Sequence, residues 1–165
     1  NKKVYLASKI GKDLGLVSDH SFAELQQYDI GHGHKIPSLK NVLDLIVVEN
    51  ESREHAGKPH LIVNIELKGK DVVDTTYEEI LPYIEQGKLD KKDFIFNSFI
   101  WDRLERIKEL EPEFKVVPAI RTIDLFGADN VQMPGFIVAK DVTYQQEGLK
   151  AIQDFHDRVG CYAFD

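Results

Sequence analysis

Cysteine, long apolar runs and an excess of positive charge are scarce or missing in this chain. Its one cysteine, Cys161, excludes an internal disulfide and mildly favours a reducing compartment such as the cytoplasm. No apolar run reaches the roughly 18 residues of a transmembrane helix, and no signal-peptide pattern is found. A net charge of −7 argues against nucleic acid or an anionic membrane as the main partner. No Gly-x-Gly-x-x-Gly or Walker pattern follows a predicted strand, so nothing indicates nucleotide binding.

What is present is typical of one globular domain. The 165 residues are 42% apolar and 30% charged. A chain of this length buries roughly 70% of its unfolded surface and needs no disulfide or metal in order to fold. The sequence begins at Asn1 and stops at Asp165, directly after an apolar run that resembles a strand. We therefore expect it to be a piece of a longer protein.

Helical and strand patterns alternate along most of the chain. Residues 1–37 look irregular, apart from a short helix at 21–28 that opens with a capping box at Ser21. The later elements are predicted as helices that begin after Ser38, at Thr76, at 101 and at 143, and as strands at 61–68, 94–99, 116–120, 136–139 and 159–164. Strands that alternate with helices predict βαβ units and a parallel sheet.

The strand at 61–68 reads Leu-Ile-Val-Asn-Ile-Glu-Leu-Lys. Because side chains alternate between the two faces of a strand, its odd-numbered residues form one apolar face. Its even-numbered residues form a second face that ends in Glu66 and Lys68. A carboxylate and an ammonium group in these positions can form an ordinary ion pair, or they can hold a metal ion and an anionic substrate side by side.

A second group of polar side chains lies near the N-terminus. His32 and His34 are two residues apart, and Asp29 and His20 are close in sequence. Imidazole and carboxylate groups are transition-metal ligands, but no further ligand follows at a suitable spacing. An exposed polar loop is therefore the favoured interpretation.

The ordered motifs resemble those of the glycerophosphodiester phosphodiesterase family. Residues 64–68 resemble its Glu-x-Lys strand, and Ile36-Pro37-Ser38-Leu39 resembles the segment that opens the preceding helix. Asn97-Ser98-Phe99 resembles the Ser-Phe that ends the next strand. Residues 159–165 resemble a late strand of that family. The resemblance covers nearly the whole chain and matches the middle and C-terminal part of the family domain.

This resemblance implies an α/β fold of the TIM-barrel type, as in phospholipase-C-like phosphodiesterases. It implies metal-dependent hydrolysis of a glycerophosphodiester to glycerol 3-phosphate and an alcohol, with Ca²⁺ or Mg²⁺ as cofactor. Carried over by position, Glu66 is a metal ligand and Lys68 faces the substrate phosphate. Phe99 and Tyr162 line the glycerol pocket, although core packing explains these two aromatic residues equally well.

Several family motifs are not found. The His-Arg-Gly, Glu-x-Asp and His-Asp motifs, which hold the catalytic histidines, precede the matched region. The resemblance thus implies an incomplete barrel that lacks its N-terminal strands and its C-terminal strand. Within the single domain 1–165, residues 1–34 correspond to a cap-like insertion and residues 35–165 to barrel. We expect this chain to be inactive alone.

Two other functions stay open. One is a non-catalytic barrel-like protein that binds glycerophosphodiesters or other partners. The other is a related phosphodiesterase, similar to phosphoinositide-specific phospholipases or to sphingomyelinase D.

Overall fold

The computed structural model describes the backbone of residues 5–7, 13–69, 71–119 and 142–160, and the side chains of 15–69, 71–119 and 150–160. The chain divides into two compact units. Unit 1 comprises Asn1–Ile62 and Lys68–Asp93, and unit 2 comprises Val63–Leu67 and Phe94–Asp165. The prediction of one domain with a cap-like insertion at 1–34 stays a prediction.

Unit 1 is mainly helical in its described part. Its elements are an antiparallel pair of strands, β1 (Tyr5–Ala7) and β2 (Asp13–Leu16), and the helices α1 (Phe22–Leu25), α2 (Leu39–His55) and α3 (Val72–Glu85). The strand pair corrects our expectation that the first 37 residues contain only one short helix. The capping box at Ser21 is confirmed, and Ser38 is the N-cap of α2, where its hydroxyl accepts the N–H of Asn41.

Unit 2 contains the predicted parallel sheet. Its elements are the strands β3 (Val63–Glu66), β4 (Phe94–Ser98) and β5 (Lys115–Pro118), and the helices α4 (Asp102–Leu110) and α5 (Val142–Val159). The strand order is β3-β4-β5, and both neighbouring pairs are parallel. This sheet confirms an α/β fold, while closure of the strands into a barrel stays a prediction. The strand predicted at 136–139 lies outside the described residues.

One face of this sheet is dry and holds the core of unit 2. Phe94 and Phe96 project from β4 and are fully buried, together with Phe114 just before β5. The ring centroids of Phe96 and Phe114 are 4.8 Å apart. Leu104 and Ile107, the predicted apolar stripe of α4, are fully buried as well. Burying such side chains is the main favourable term in folding, so this face holds the sheet and helix together.

The end of α5 differs from the prediction at Val159. Val159 was expected to begin a strand, but it is the final residue of α5. Phe155 of this helix is buried, and its ring centroid lies 4.9 Å from that of Trp101. Arg158 donates to the carboxylate of Glu105 in α4. The apolar contact and the ion pair together explain why the helix continues to Val159.

Polar contacts connect the end of α2 to the segment that follows it. The side-chain oxygen of Asn50 accepts a hydrogen bond from the N–H of Leu61 at 2.8 Å. Arg53 donates to the carbonyl of Pro59 at 2.8 Å. Asn50 is 3% exposed, so the bond to Leu61 is made inside the unit. These contacts set the point at which the chain leaves unit 1 to enter β3.

A buried carboxylate pairs with a histidine in unit 1. Nδ1 of His60 lies 2.9 Å from Oδ2 of Asp93, whose side chain is 4% exposed, whereas that of His60 is 34% exposed. Water can therefore replace the hydrogen bond for His60 more easily than for Asp93. Freed from Asp93, His60 can turn to solvent, but the Asp93 carboxylate cannot.

This asymmetry predicts which substitution is worse. We expect His60→Ala to destabilise the protein by about 3 kcal/mol, because it leaves a buried carboxylate without its ring partner. We expect Asp93→Asn to cost only about 1 kcal/mol, because the amide still offers an oxygen to the imidazole. Urea unfolding at pH 7 measures both values. Equal costs, or a larger cost for Asp93→Asn, would contradict the prediction.

A second polar contact in unit 1 joins α2 to α3. The hydroxyl of Tyr83 donates to Oδ1 of Asp44 at 2.5 Å, and Nζ of Lys40 lies 2.7 Å from Oδ2 of the same carboxylate. Lys40 and then Tyr83, both donating to the carboxylate, lower the pKa of Asp44 below its usual value of 3.8. Burial, and then the bond to Asp44, raise the pKa of Tyr83.

The lowered pKa of Asp44 predicts the sign of a pH effect. A carboxyl whose pKa is lower in the folded state contributes stability above its unfolded pKa, and this contribution is lost as the pH falls through the folded pKa. We therefore expect Asp44→Asn to destabilise the protein at pH 7. The difference from wild type should shrink below the usual pKa of 3.8. Urea midpoints at pH 7, 5 and 3 test this, and a difference independent of pH would refute it.

Among the helices in the described ranges, none has both the length and the apolar character that crossing a bilayer requires.

Candidate functional site

Glu66 is the last residue of β3 and lies on the face of the sheet opposite the aromatic core. Val63 and Leu67 are buried, Asn64 is exposed and Glu66 is half-buried. Ile65 is half-buried like Glu66, so burial agrees with the predicted alternation only in part, and the strand covers Val63–Glu66 of the predicted 61–68. In α/β proteins with parallel strands, ligands bind at the carboxyl ends of the strands. Glu66 is therefore at the end of the sheet where a site is expected.

Two asparagines lie on the same face as Glu66. In the parallel register, Glu66 of β3 is next to Asn97 of β4, and Asn64 is next to Ile95. Nδ2 of Asn97 donates to Oδ1 of Asn64 at 2.6 Å. This bond spans β3 and β4 and leaves an amide group beside the register position of Glu66. The open face thus carries a polar patch formed by Asn64, Glu66 and Asn97.

Sequence reasoning did not assign a role to either asparagine. Both belong to motifs that we used for the family resemblance, but only as markers of position. Asn64 could have been found, because it has the same strand parity as Glu66. Asn97 could not, because its position beside Glu66 depends on the register between strands that are 31 residues apart in sequence.

The backbone just after Glu66 is held by side chains from β4 and α4. The carbonyl of Leu67 accepts hydrogen bonds from Oγ of Ser98 at 2.8 Å and from Nη1 of Arg103 at 3.0 Å. The N–H of Leu67 donates to the carbonyl of Asn97 at 2.8 Å. The carboxyl end of β3 is therefore fixed on both sides of this one residue.

The other three predicted site residues have different outcomes. Lys68 is exposed and begins the second segment of unit 1. Phe99 directly follows β4 and is 38% exposed, which is more than a core residue shows. Tyr162 lies outside the described residues.

The described residues do not assemble a complete metal site. They contain no group of three or more His, Cys, Asp or Glu side chains that could hold a metal ion together. A Ca²⁺ ion takes about six to eight oxygen ligands, and Mg²⁺ takes about six. Glu66 and the neighbouring amide of Asn97 are of the right hard-oxygen type, but they supply only part of such a set.

The two histidines near the N-terminus lie in an exposed turn. His32 has φ of 54°, and Gly33 after it has φ of 83°. The carboxylate of Asp29 accepts hydrogen bonds from the N–H groups of Gly31 and Gly33 at 2.6 and 3.2 Å. Asp29 thus stabilises the turn, as the loop interpretation of His32 and His34 requires.

No protein-family model and no curated protein matches the chain. Among solved structures, the chain is similar to a "putative glycerophosphodiester phosphodiesterase" from Galdieria sulphuraria, with 23% sequence identity over 70% of this chain and a TM-score of 0.49. The chain spans half the length of that protein. A similarity of this size assigns neither a fold nor an activity.

Proposed function

We propose that this chain is part of a metal-dependent phosphodiesterase that hydrolyses glycerophosphodiesters to glycerol 3-phosphate and an alcohol. The observation that carries the proposal is the position of Glu66, at the carboxyl end of a parallel strand and on the open face of the sheet. The resemblance of residues 64–68 to the Glu-x-Lys strand of glycerophosphodiester phosphodiesterases supports the same reaction. The position of Glu66 and the resemblance both concern β3 and the two residues after it, so substitutions in this segment test the proposal most directly.

Glu66 and Lys68 have complementary roles in this proposal. A phosphodiester carries a negative charge that repels an attacking oxygen, so hydrolysis requires positive charge around the phosphate. Ca²⁺ or Mg²⁺, when bound, supplies most of that charge. Glu66 provides one of its oxygen ligands, and further ligands come from outside the described residues. Lys68 provides a second positive charge through its ammonium group.

The remaining features of the proposal concern the pocket and the rest of the fold. Phe99 and Tyr162 form the apolar side of the glycerol pocket. The sheet of unit 2 belongs to a TIM barrel, and the catalytic histidines lie upstream of residue 1. The substrate is a small molecule rather than nucleic acid. The 165-residue chain alone then lacks the groups that move protons.

The decisive experiment measures glycerol 3-phosphate release. The longest natural protein that contains this chain is incubated with glycerophosphocholine or glycerophosphoethanolamine, with EDTA, Ca²⁺ or Mg²⁺, and a coupled dehydrogenase detects the product. Cation-dependent release supports the proposal, and the 165-residue chain serves as the inactive control. Saturable binding of the diester without release would instead favour a non-catalytic binding protein. Release of a cyclic phosphate or phosphocholine would favour a lipase-like phosphodiesterase.

A further inference from the structure

The peptide segment just after β3 is held by side-chain hydrogen bonds from β4 and α4. The carbonyl of Leu67 accepts from Ser98 Oγ and from the Arg103 guanidinium group. Ser98 is 1% exposed, so its bond to the Leu67 carbonyl is buried, and the bond from Arg103 is partly buried. A hydrogen bond with a charged donor is stronger than one between neutral groups. Leu67, the residue directly after β3, is therefore anchored by one neutral and one charged donor.

Ser98 also connects this anchor to the neighbouring strands. Its hydroxyl oxygen accepts from the N–H of Ile100 at 3.0 Å, and its carbonyl accepts from the N–H of Ala119 at 2.9 Å. One buried serine thus links the carboxyl ends of β3, β4 and β5. These are the ends of the strands at which a site is expected in a parallel sheet.

The anchored residue stands directly between Glu66 and Lys68. A peptide unit is planar, so fixing its N–H or its carbonyl fixes the whole plane. The bond from Leu67 N–H to Asn97 fixes the plane that joins Glu66 to Leu67. The bonds from Ser98 and Arg103 fix the plane that joins Leu67 to Lys68. Both planes that flank Leu67 are held, and with them the backbone that carries the two side chains.

We propose that Ser98 and Arg103 are positioning residues that hold the Leu67 carbonyl, so that the adjacent Glu66 keeps the direction needed to bind the cation. This inference rests on the proposed phosphodiesterase function. Neither residue touches the substrate, and both act through the backbone. Removing a residue that orients a metal ligand through a hydrogen bond typically lowers metal affinity or activity by about 10–100-fold.

The test compares Arg103→Met with Arg106→Met in the protein that hydrolyses the diester. Both arginines are on α4, but Arg106 is exposed and pairs with Glu109 at 3.1 Å. We expect Arg103→Met to raise the cation concentration needed for half-maximal activity, or to lower kcat, by about 10–100-fold. Arg106→Met should match wild type. Arg103→Lys should recover part of the loss, because an ammonium group can still donate.

Ser98→Ala provides a second, independent variant. It should show the same change in cation requirement, and its effect should largely vanish when Glu66 is already replaced by glutamine, because both substitutions then act on one contact. Normal cation dependence in Arg103→Met and Ser98→Ala would overturn the inference. So would a loss of activity that simply follows the fall in thermal stability.

Amide hydrogen exchange separates failure of this inference from failure of the proposed function. If the wild-type protein hydrolyses no diester, the proposed function fails, and exchange then decides on positioning alone. Faster exchange of the Leu67 amide in both variants, with unchanged exchange in the middle of β4, supports the anchor. Unchanged exchange at Leu67 overturns it.

Discussion

Glu66→Gln is expected to reduce cation-dependent hydrolysis by about a hundredfold or more, while the fold remains intact. The substitution keeps the length of the side chain and one of its oxygens, but it removes the negative charge that a hard cation prefers. Glu66 is half-buried at a strand end, so a neutral amide there should not disturb the core of unit 2. Activity measured across Ca²⁺ and Mg²⁺ titrations reports the loss as a higher cation requirement.

Glu79→Gln is the matched control for this experiment. Glu79 is an exposed residue of α3 and is far from the end of β3 in sequence. It makes the same chemical change at a residue with no role in the proposal, so its kinetics should equal those of wild type. If Glu66→Gln also keeps the wild-type cation dependence, Glu66 is not a metal ligand. The interpretation of Glu66 as part of an ordinary ion pair would then stand.

The elements that sequence reasoning predicted well are those whose signals are local. The alternation is visible in the eight residues of the predicted strand at 61–68, of which β3 covers Val63–Glu66. The capping box at Ser21 and the N-cap at Ser38 depend on groups three residues apart, and the structure confirms both. The apolar stripe of α4 repeats with helical spacing. Each of these patterns is satisfied by near neighbours, so no knowledge of tertiary contacts is needed.

The start of α3 shows how burial overrides a local signal. The predicted helix start at Thr76 is wrong, because the helix begins four residues earlier at Val72. Val73 is 6% exposed and lies on the same helical face as the buried Ile80. Two β-branched residues form a poor first turn by propensity, but burial of Val73 favours it. The helix also contains Pro82 and continues past it to Glu85, although proline disfavours a helix interior.

The candidate site itself was only partly predictable. Its acidic member, Glu66, follows from strand parity and from the family resemblance. The hydrogen bond between Asn64 and Asn97 depends on strand register, and so does the anchor on the Leu67 carbonyl. Arg103 donates across 36 residues of sequence. Contacts of this kind leave no local periodicity, because they are set by how β3, β4 and α4 pack.

Lys68→Met is expected to lower kcat/KM for a negatively charged phosphodiester by about a hundredfold. Methionine has a similar length but no charge, so the loss measures the contribution of the ammonium group to a phosphate whose charge changes during hydrolysis. Lys68 is exposed, so the substitution should cost little stability. Lys92→Met is the control, because that lysine pairs with Asp90 at 2.8 Å and has no role in the proposed site.

A double substitution distinguishes a phosphate contact from an ion pair between Lys68 and Glu66. If Lys68 acts only by orienting Glu66, Lys68→Met should have almost no further effect once Glu66 is glutamine. If Lys68 binds the phosphate itself, it should still reduce the residual rate, and Lys68→Arg should retain part of the activity, because a guanidinium group also binds phosphate. An unchanged rate for Lys68→Met alone would eliminate the phosphate role and leave Lys68 as a surface cation at the end of the strand.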